Sequence, residues 1–350
     1  MELSALAERL LPWYEAHKRD LPWRQDREPY HVWLSEIMLQ QTRVEAVRGY
    51  YLRFLAALPD IASLAVCQEE KLYKLWEGLG YYSRVRNLQK AAKVIMEQHG
   101  GVFPQDYTSI RALPGIGDYT AGAVSSICFD RPEPAVDGNV LRVITRVLAL
   151  EAPITKPQTK KDITEQLRAA YPQTRCGDFT QALMELGATV CLPNGAPACE
   201  TCPLSVLCRS REGELWKRIP VKEKKKERRV EEKTVFLLRC DGKLAVRKRK
   251  NSGLLAGLWE FPNETGKLDA QQVLEQTANW GCHPKELVKE VGKQHIFTHI
   301  EWKMTGYLIE CSTCASDFVW ADEAALDTVY SLPTAFRQFR DTIYERKGPL

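Results

Sequence analysis

The chain has 350 residues, of which 44% are hydrophobic and 27% are charged, and its formal net charge is +4. This composition is typical of an ordinary soluble globular protein, and the length favours two domains. The charge permits nucleic-acid binding without requiring it. No apolar run is long enough to cross a bilayer. Because Glu2, Glu8 and Arg9 interrupt the N-terminal stretch, it is not predicted to be a signal peptide.

Residues 1–210 are predicted to be helical, because apolar residues recur there at intervals of three and four. Glycine and proline separate the segments. We expect helices at 1–17, twice within 30–58, and at 71–76, 85–98, 119–129, 140–150, 160–171 and 177–190. No segment of this half shows the alternation that is typical of a strand.

A tight turn at Leu113-Pro114-Gly115-Ile116-Gly117 precedes one of these helices. Backbone amides at such a turn and at the following helix start can bind a phosphate without any side chain. Asp137 follows Gly117 by twenty residues and directly precedes a new apolar run. A phosphate-binding turn followed by a lone carboxylate suggests chemistry on a nucleic acid. The alternatives are an ordinary helix–helix turn and a helix N-cap at Asp137.

Four of the eleven cysteines lie within eighteen residues, in the pattern C-x7-C-x2-C-x5-C: Cys191, Cys199, Cys202 and Cys208. Disulfides are not expected in a chain without an export signal, so this group predicts a metal site. Tetrathiolate zinc is one option. The compact, uneven spacing and the proline after Cys202 favour a [4Fe–4S] cluster. The other cysteines are scattered, and the isolated pair Cys311 and Cys314 is interpreted as structural.

The composition changes after residue 210. Residues 217–233 contain nine lysines or arginines and four glutamates, which predicts a solvated linker over 211–233. A basic linker is also able to follow a phosphate backbone. Strand patterns then flank the hairpin turn Asp241-Gly242. Further strands are expected at 258–261 and 292–311, with helices at 270–280 and 334–344, so this half is predicted to be α+β.

Several motifs together resemble the helix-hairpin-helix DNA glycosylases of the endonuclease III superfamily. They are the L-P-G-I-G turn, V-D-G-N-V around Asp137, and the four cysteines after the last helix of this half. The segments L-P-W-R (21–24), W-L-S-E-I-M-L-Q-Q-T (33–42) and G-L-G-Y-Y-S-R-V-R-N-L (78–88) are similar to the MutY-type, adenine-specific branch. One spacing departs from that pattern. Seven residues, where six are usual, separate Cys191 from Cys199, and the Asn194-Gly195 turn accommodates the extra residue.

The resemblance implies a multidomain fold. Residues 1–210 would form an all-α catalytic region, with a six-helix barrel containing the helix-hairpin-helix at 113–122 and an iron–sulfur domain closing at 191–208. Residues 234–350 would form an α+β, Nudix-like domain that recognises 8-oxoguanine. The implied activity is excision of adenine mispaired with 8-oxoguanine or guanine during base excision repair.

Cleavage of an N-glycosidic bond requires protonation of the leaving base and stabilisation of a cationic sugar. Glu36 lies within an apolar helical run, where burial would raise its pKa and keep a proton available. An exposed helix edge is the alternative. By resemblance, Glu36 protonates adenine N7 and then assists the attacking water. Asp137 stabilises the sugar as an anion or bonds to it covalently, and Asn139 orients the site.

Position 119 separates the branches of the superfamily. Relatives that also cut the DNA strand carry a lysine there, which forms a Schiff base, whereas this chain has Tyr119. A monofunctional glycosylase is therefore expected, with Tyr119 hydrogen-bonded near Asp137. The resemblance assigns further DNA and base contacts to Arg24, Gln41, Tyr81, Leu113, Gly115 and Gly117. Gln41 and Tyr81 would fill the gap that a flipped base leaves, and Tyr82 is expected to pack in the core.

The segment Gly253–Pro262 resembles the start of a Nudix signature, but the paired acids that would follow are replaced by Q-Q-V-L-E-Q at 271–276. A recognition module is therefore expected in place of a cation-dependent hydrolase. Phe297, Thr298 and His299 resemble a loop that reads 8-oxoguanine, with threonine where serine is usual. Strand packing is the alternative for Phe297 and His299.

The predicted partner is double-stranded DNA containing an A:8-oxoguanine or A:G mispair, and the predicted state is a monomer. The expected location is the cytoplasm of a bacterial cell, at the nucleoid. Three other functions are compatible with parts of the sequence. They are an endonuclease III-like pyrimidine glycosylase/lyase, a non-catalytic iron–sulfur protein that binds lesions or senses redox state, and a nucleotide pyrophosphatase.

Overall fold

The computed structural model describes residues 3–223 and 227–344. The start of the first predicted helix (1–2), part of the predicted linker (224–226) and the end of the C-terminal domain (345–350) lie outside the described residues. Contacts divide the described chain into two compact units. The first comprises 3–66 and 86–223, and the second comprises 67–85 and 227–344.

Eleven α-helices occupy the described part of the chain before residue 190. They are α1 (Leu6–His17), α2 (Pro29–Leu39), α3 (Val44–Ala57), α4 (Ile61–Val66), α5 (Glu69–Trp76), α6 (Ser83–Gln98), α7 (Tyr107–Ala112), α8 (Asp118–Phe129), α9 (Gly138–Leu148), α10 (Pro157–Ala170) and α11 (Cys176–Thr189). The apolar periodicity predicted all of them except the single-turn helices α4 and α7, which are too short to produce a periodic pattern. None of the helices described is long and apolar enough to cross a membrane.

A buried cluster joins α1, α9, α10 and α11 in the first unit, with Leu10, Ile144 and Leu183 among its members. Two helices approach closely here because α11 carries Gly187. A Cβ atom at this position would lie 2.5 Å from the Cβ of Asn139. Glycine therefore permits the start of α9 to lie against α11, and this contact places Asp137 and Asn139.

The second unit contains a seven-stranded mixed sheet. Its strands are β1 (Arg229–Cys240), β2 (Lys243–Lys248), β3 (Trp259–Glu260), β4 (Asn263–Thr265), β5 (Pro284–Ile296), β6 (Ile300–Cys311) and β7 (Val319–Ala321), and its helices are α12 (Ala270–Asn279), α13 (Glu323–Thr328) and α14 (Thr334–Ile343). The strand order is β3-β2-β1-β6-β5, with β4 paired to β1 and β7 to β2. The central pair β1 and β6 is parallel, and Phe236 is in register with Tyr307.

Strand β1 is buried on both faces. Val235 and Leu237 belong to one apolar cluster, whereas Phe236 and Leu238 belong to another. A central strand covered on both faces is expected to show a continuous apolar run, and the segment T-V-F-L-L does so. The predicted α+β character is confirmed, and the stretch Q-Q-V-L-E-Q lies on α12.

Three sequence-based boundaries differ from the structure. The stretch 292–311 is not one strand, because residues 297–299 form a turn between β5 and β6. Strand β1 begins at Arg229, inside the predicted linker, since pairing with β6 orders residues whose composition is that of a solvated segment. Residues 67–85, from the predicted helical region, belong to the second unit. Their contacts there include Ser331 Oγ donating to the Tyr73 carbonyl oxygen at 3.2 Å.

Candidate active site

A cavity of about 560 Å³ opens in the first unit. Six of the residues predicted for the site line it: Arg24, Glu36, Gln41, Tyr119, Asp137 and Asn139. They come from the segment before α2, from the C-terminal end of α2 and the residues just after it, and from the starts of α8 and α9. The fold therefore brings together residues that are separated by more than a hundred positions in sequence.

Glu36 is buried on α2, with only 6% of its surface exposed, so it does not lie on an exposed helix edge. The pKa of Glu36 is raised from 4.5 to about 7, mainly by burial. A hydrogen bond from Tyr119 opposes this rise, and the charge of Asp137 adds to it. The Tyr119 hydroxyl donates to Glu36 Oε2 at 2.5 Å. Tyr119 was expected to form a hydrogen bond near Asp137. Its acceptor is Glu36, because α2 packs directly against α8, and the charge of Asp137 acts on both side chains.

Asp137 is the N-cap of α9 and also lines the cavity. Its Oδ1 accepts from the Val140 amide at 2.8 Å, and its Oδ2 accepts from Asn139 Nδ2 at 2.8 Å. The pKa of Asp137 is raised above its ordinary value, because the effect of burial exceeds the opposing effect of these hydrogen bonds. Donors directed at both oxygens favour the anion. The cap and the cavity carboxylate are therefore one side chain with two roles.

Arg142 supports this arrangement, although the motif reasoning overlooked it. It is 7% exposed, and one of its amino groups donates to Asn139 Oδ1 at 2.9 Å and to the Gly187 carbonyl at 2.7 Å. Its Nε donates to the Cys191 carbonyl at 2.8 Å. A charged residue inside the apolar run V-L-R-V-I was the available signal, since a buried charge requires partners.

Arg24 is held by a second buried acid, Glu185. One amino group of Arg24 donates to Glu185 Oε2 at 2.8 Å, and Arg19 Nε donates to Oε1 at 2.7 Å. The side chain of Glu185 is fully buried and lines the cavity. Both arginines lower its pKa against the opposing effect of burial. Half-buried Lys160 lines the cavity as well, and sequence reasoning named neither Glu185 nor Lys160.

The predicted phosphate-binding turn connects α7 to α8. Leu113 is 3% exposed, and Gly115 has φ +78°. Gly117 is the N-cap of α8 with φ −94°, so no side-chain hydrogen bond caps this helix. Helix starts attract anions because their amide groups point outward. These three residues are not among those that line the cavity.

Tyr81 and the 297–299 turn both belong to the second unit. Tyr81 is 48% exposed, and its hydroxyl lies 2.9 Å from Thr298 Oγ1. Thr298 and His299 are exposed, so strand packing does not explain His299. Phe297 packs edge-on against Trp302, with 4.8 Å between ring centroids.

Tyr81 and its neighbour Tyr82 differ sharply. Tyr82 is 6% exposed and packs edge-on against Tyr73, which confirms its expected core position. Tyr81 adopts a left-handed backbone with φ +46°, and so does Gln41 with φ +57°. Left-handed backbone is unfavourable for residues of these types and is concentrated at functional sites.

All four clustered cysteines line one cavity of about 30 Å³ in the first unit, and none forms a disulfide. Arg146 donates to Cys191 Sγ at 3.3 Å. The Ala198 amide bonds to the Val190 carbonyl at 3.0 Å and closes the loop that holds Asn194-Gly195. Four thiols that line one cavity fit an iron–sulfur cluster.

Two family models match the chain. Residues 34–169 match the HhH-GPD superfamily of base excision DNA repair proteins, and residues 234–342 match the NUDIX domain. The adenine DNA glycosylase of Homo sapiens is 36% identical over 89% of this chain and 68% of the human protein. That of Schizosaccharomyces pombe is 31% identical over 99% of this chain and 91% of the yeast protein.

Solved structures resemble the helical part. A thermostable thymine-DNA glycosylase superposes with a TM-score of 0.55 at 29% identity, covering 60% of this chain and 96% of its own. An endonuclease III–DNA complex gives a TM-score of 0.52 at 21% identity, covering 61% and 99%. The second likeness concerns the fold alone.

Proposed function

The chain belongs to the adenine DNA glycosylases, and we propose that it excises adenine mispaired with 8-oxoguanine or guanine from double-stranded DNA. One observation carries the proposed mechanism. Glu36, whose pKa burial raises to about 7, and Asp137, whose oxygens accept two hydrogen bonds, line the same cavity. An acid and an anion in distinct environments are what cleavage of an N-glycosidic bond requires.

Adenine must leave the base stack to reach this cavity. Gln41 and Tyr81 are the proposed fillers of the resulting gap, because both are exposed and both adopt a left-handed backbone. Arg24 is proposed to contact the flipped base from the cavity wall, where Glu185 holds its guanidinium. The turn at 113–117 is proposed to bind a phosphate of the same strand.

Protonated Glu36 donates its proton to N7 of adenine. The C1′–N9 bond then breaks, and its electron pair leaves with the now neutral base. The resulting Glu36 carboxylate accepts a proton as water adds to C1′. Because burial keeps a proton on Glu36 near neutral pH, one residue serves as acid and then as base.

Asp137 faces the positive charge that develops on the sugar. Its two hydrogen bonds orient the carboxylate before the reaction begins, so little reorganisation accompanies bond cleavage. Asn139 is a positioning residue, because it holds Asp137 Oδ2 and is itself held by Arg142.

The absence of an amine at position 119 supports a monofunctional enzyme, since Tyr119 cannot form a Schiff base. Lys160 is the observation that favours the rival glycosylase/lyase activity, because it lines the same cavity. Borohydride trapping on an abasic duplex separates the two. Trapping that is efficient in the wild type and lost in Lys160→Met would establish an imine at Lys160 and overturn the monofunctional assignment.

The 297–299 turn is the proposed reader of 8-oxoguanine. Thr298 offers an exposed hydroxyl within 2.9 Å of the Tyr81 hydroxyl, and His299 is exposed beside it. Point variants test this role better than deletion of 234–350. Residues 67–85 pack within the second unit, where the Leu332 amide donates to Glu77 Oε1 at 2.9 Å, and the deletion would remove their partners.

We propose that Cys191, Cys199, Cys202 and Cys208 hold a [4Fe–4S] cluster. Such a group, when bound, would tie the 191–208 loop together through thiolate–iron bonds. Iron analysis and visible absorbance are expected to report about four irons per chain. Stoichiometric zinc without iron would overturn the assignment.

The decisive assay uses duplexes containing adenine opposite 8-oxoguanine, opposite guanine and opposite thymine. Strand breaks are expected only after alkali treatment, and chiefly with the first two duplexes. Breaks without alkali would contradict monofunctionality, and equal cutting of all three duplexes would contradict the proposed mispair. Since the substrate is chromosomal DNA, the proposed place of action is the nucleoid in the cytoplasm.

A further inference from the structure

A second group of thiols lies in the second unit, far in sequence from Cys191–Cys208. Strands β1 and β6 are parallel, and Arg239 is in register with Glu310. Cys240 and Cys311 are the next residues, so both strands end with a cysteine at the same end of the sheet, which is called this edge below. Both are buried in one apolar cluster together with Cys282. The chain segments that follow the two strands leave from this edge.

Three metal-binding atoms converge at this edge. The sulfurs of Cys240 and Cys314 and a carboxylate oxygen of Asp241 all lie within 4.8 Å of one another. Cys240 is buried, whereas Asp241 and Cys314 are exposed. The group thus has an anchored thiol and an open side through which an ion can enter.

The backbone holds these donors in place. Asp241 and Gly242 form the tight β1–β2 turn with φ +49° and +74°, a conformation that aspartate and glycine tolerate well in hairpins. Cys240 is paired with Lys243 across the turn. Cys314 follows the Ser312 amide, which bonds to the His283 carbonyl at 2.9 Å. Two donors therefore come from an ordered hairpin, and the third comes from a segment tied down nearby.

We propose that Cys240, Asp241 and Cys314 form a binding site for a soft divalent cation of the Zn²⁺ class. Thiolate and carboxylate are both ligands of tetrahedral zinc, and thiolates select such ions over magnesium or calcium. Water from the exposed side completes the coordination. The ion would join the β1–β2 turn to the segment after β6, and so cross-link one edge of the domain.

The test uses the full-length, iron-loaded chain under reducing conditions. Wild type, Cys314→Ser and Cys67→Ser are equilibrated with buffered Zn²⁺, and zinc and iron per chain are then measured. Cys314 is exposed, so its replacement should leave the fold intact, and Cys67→Ser removes a thiol elsewhere in the same unit. Wild type and Cys67→Ser are expected to bind one more equivalent of zinc than Cys314→Ser, with equal iron in all three.

Asp241→Asn provides a second variant that does not disturb the core, because Asp241 is exposed. We expect it to weaken zinc binding by roughly tenfold or more, since even residues outside the coordination shell change metal affinity by about 10–100-fold. Bound zinc should also protect Cys314 from alkylation.

Equal zinc content in wild type and Cys314→Ser would overturn the proposal, whether or not iron is displaced. A Cys240–Cys314 disulfide that persists under reducing conditions and excludes zinc would overturn it too.

Discussion

The two units differ in how they present their functional side chains. In the first unit, Glu36 is 6% exposed, and Asp137 is held by hydrogen bonds within a cavity. In the second unit, Thr298 and His299 lie exposed on a turn between two long strands. Burial shifts a pKa and fixes a carboxylate, which serves chemistry. Exposure leaves the Thr298 hydroxyl free of such effects and open to a ligand, which suits the proposed recognition of a base.

This contrast makes a general prediction. Variants in the cavity should slow excision from every mispair alike, whereas variants in the 297–299 turn should alter the ratio between mispairs.

Glu36→Gln should lower the single-turnover rate by about 10²–10⁴-fold, the usual contribution of a general acid. The loss should be similar opposite 8-oxoguanine and opposite guanine. If the ratio of the two rates changed beyond experimental error, Glu36 would also affect the choice between mispairs. That result would contradict the division of roles between the two units. Glutamine keeps the side-chain volume, so circular dichroism serves as the control for folding.

Asp137→Asn should lower the rate by about 10²–10³-fold, because it removes the negative charge that is proposed to face the sugar. Asparagine is as good an N-cap as aspartate, so helix α9 should keep its start and the melting temperature should change little. An unchanged rate would contradict the role proposed for Asp137 and would favour the alternative of a non-catalytic iron–sulfur protein.

Gly115→Ala and Gly117→Ala are a matched pair in the phosphate-binding turn. A Cβ at Gly115, where φ is +78°, would lie 2.5 Å from Asn87 Cβ, whereas a Cβ at Gly117 meets nothing within 4 Å. The first variant should lose about 1–3 kcal/mol of stability and bind duplex DNA more weakly. The second meets no clash and loses only the advantage of glycine over alanine at an N-cap, so it should lose less stability than the first. Equal melting of the two would contradict this account of the turn.

Tyr119→Phe should move the pH profile of the rate. Its hydrogen bond lowers the pKa of Glu36, which burial has raised to about 7. Without the bond, the pKa of Glu36 rises further, so the acid stays protonated to higher pH and the basic limb shifts upward. The rate below this limb should change by about tenfold at most, the usual worth of one hydrogen bond. A downward shift would contradict the assignment of Glu36 as the acid.

Thr298→Ala should reduce the preference for 8-oxoguanine over guanine by roughly 2- to 10-fold, as expected for one hydrogen bond. Thr298→Ser keeps the hydroxyl and should keep the preference. If alanine lowers both rates equally, the turn contributes to general DNA binding and not to the choice of base.

The buried Glu36 also predicts a pH dependence of stability. Its pKa is about 7 in the folded chain against 4.5 ordinarily, so its contribution is fully present below about pH 4.5 and is lost as pH rises through about 7. Glu36→Gln lacks this loss. The stability of the variant relative to the wild type should therefore rise between pH 5 and pH 8 in urea titrations, and a flat difference would contradict the raised pKa.

Most of the helices and strands could be predicted from local sequence, because apolar periodicity reports which face of a helix or strand is buried. Short motifs with specific spacing also identified Glu36, Asp137, Tyr119 and the four clustered cysteines. These are local properties, and a single chain segment carries each of them.

Which of these residues come into contact could not be predicted from local sequence, because it depends on how the elements pack. It paired Tyr119 with Glu36, and it placed Arg142 behind Asn139. It brought Cys240 beside Cys314, which sequence had left as an unrelated cysteine and an isolated C-x2-C. Such partnerships depend on helix packing and strand register across long sequence separations. Residues that support the site, such as Arg142, therefore belong to no recognisable motif. The available signal for Arg142 was a charged residue inside an apolar run.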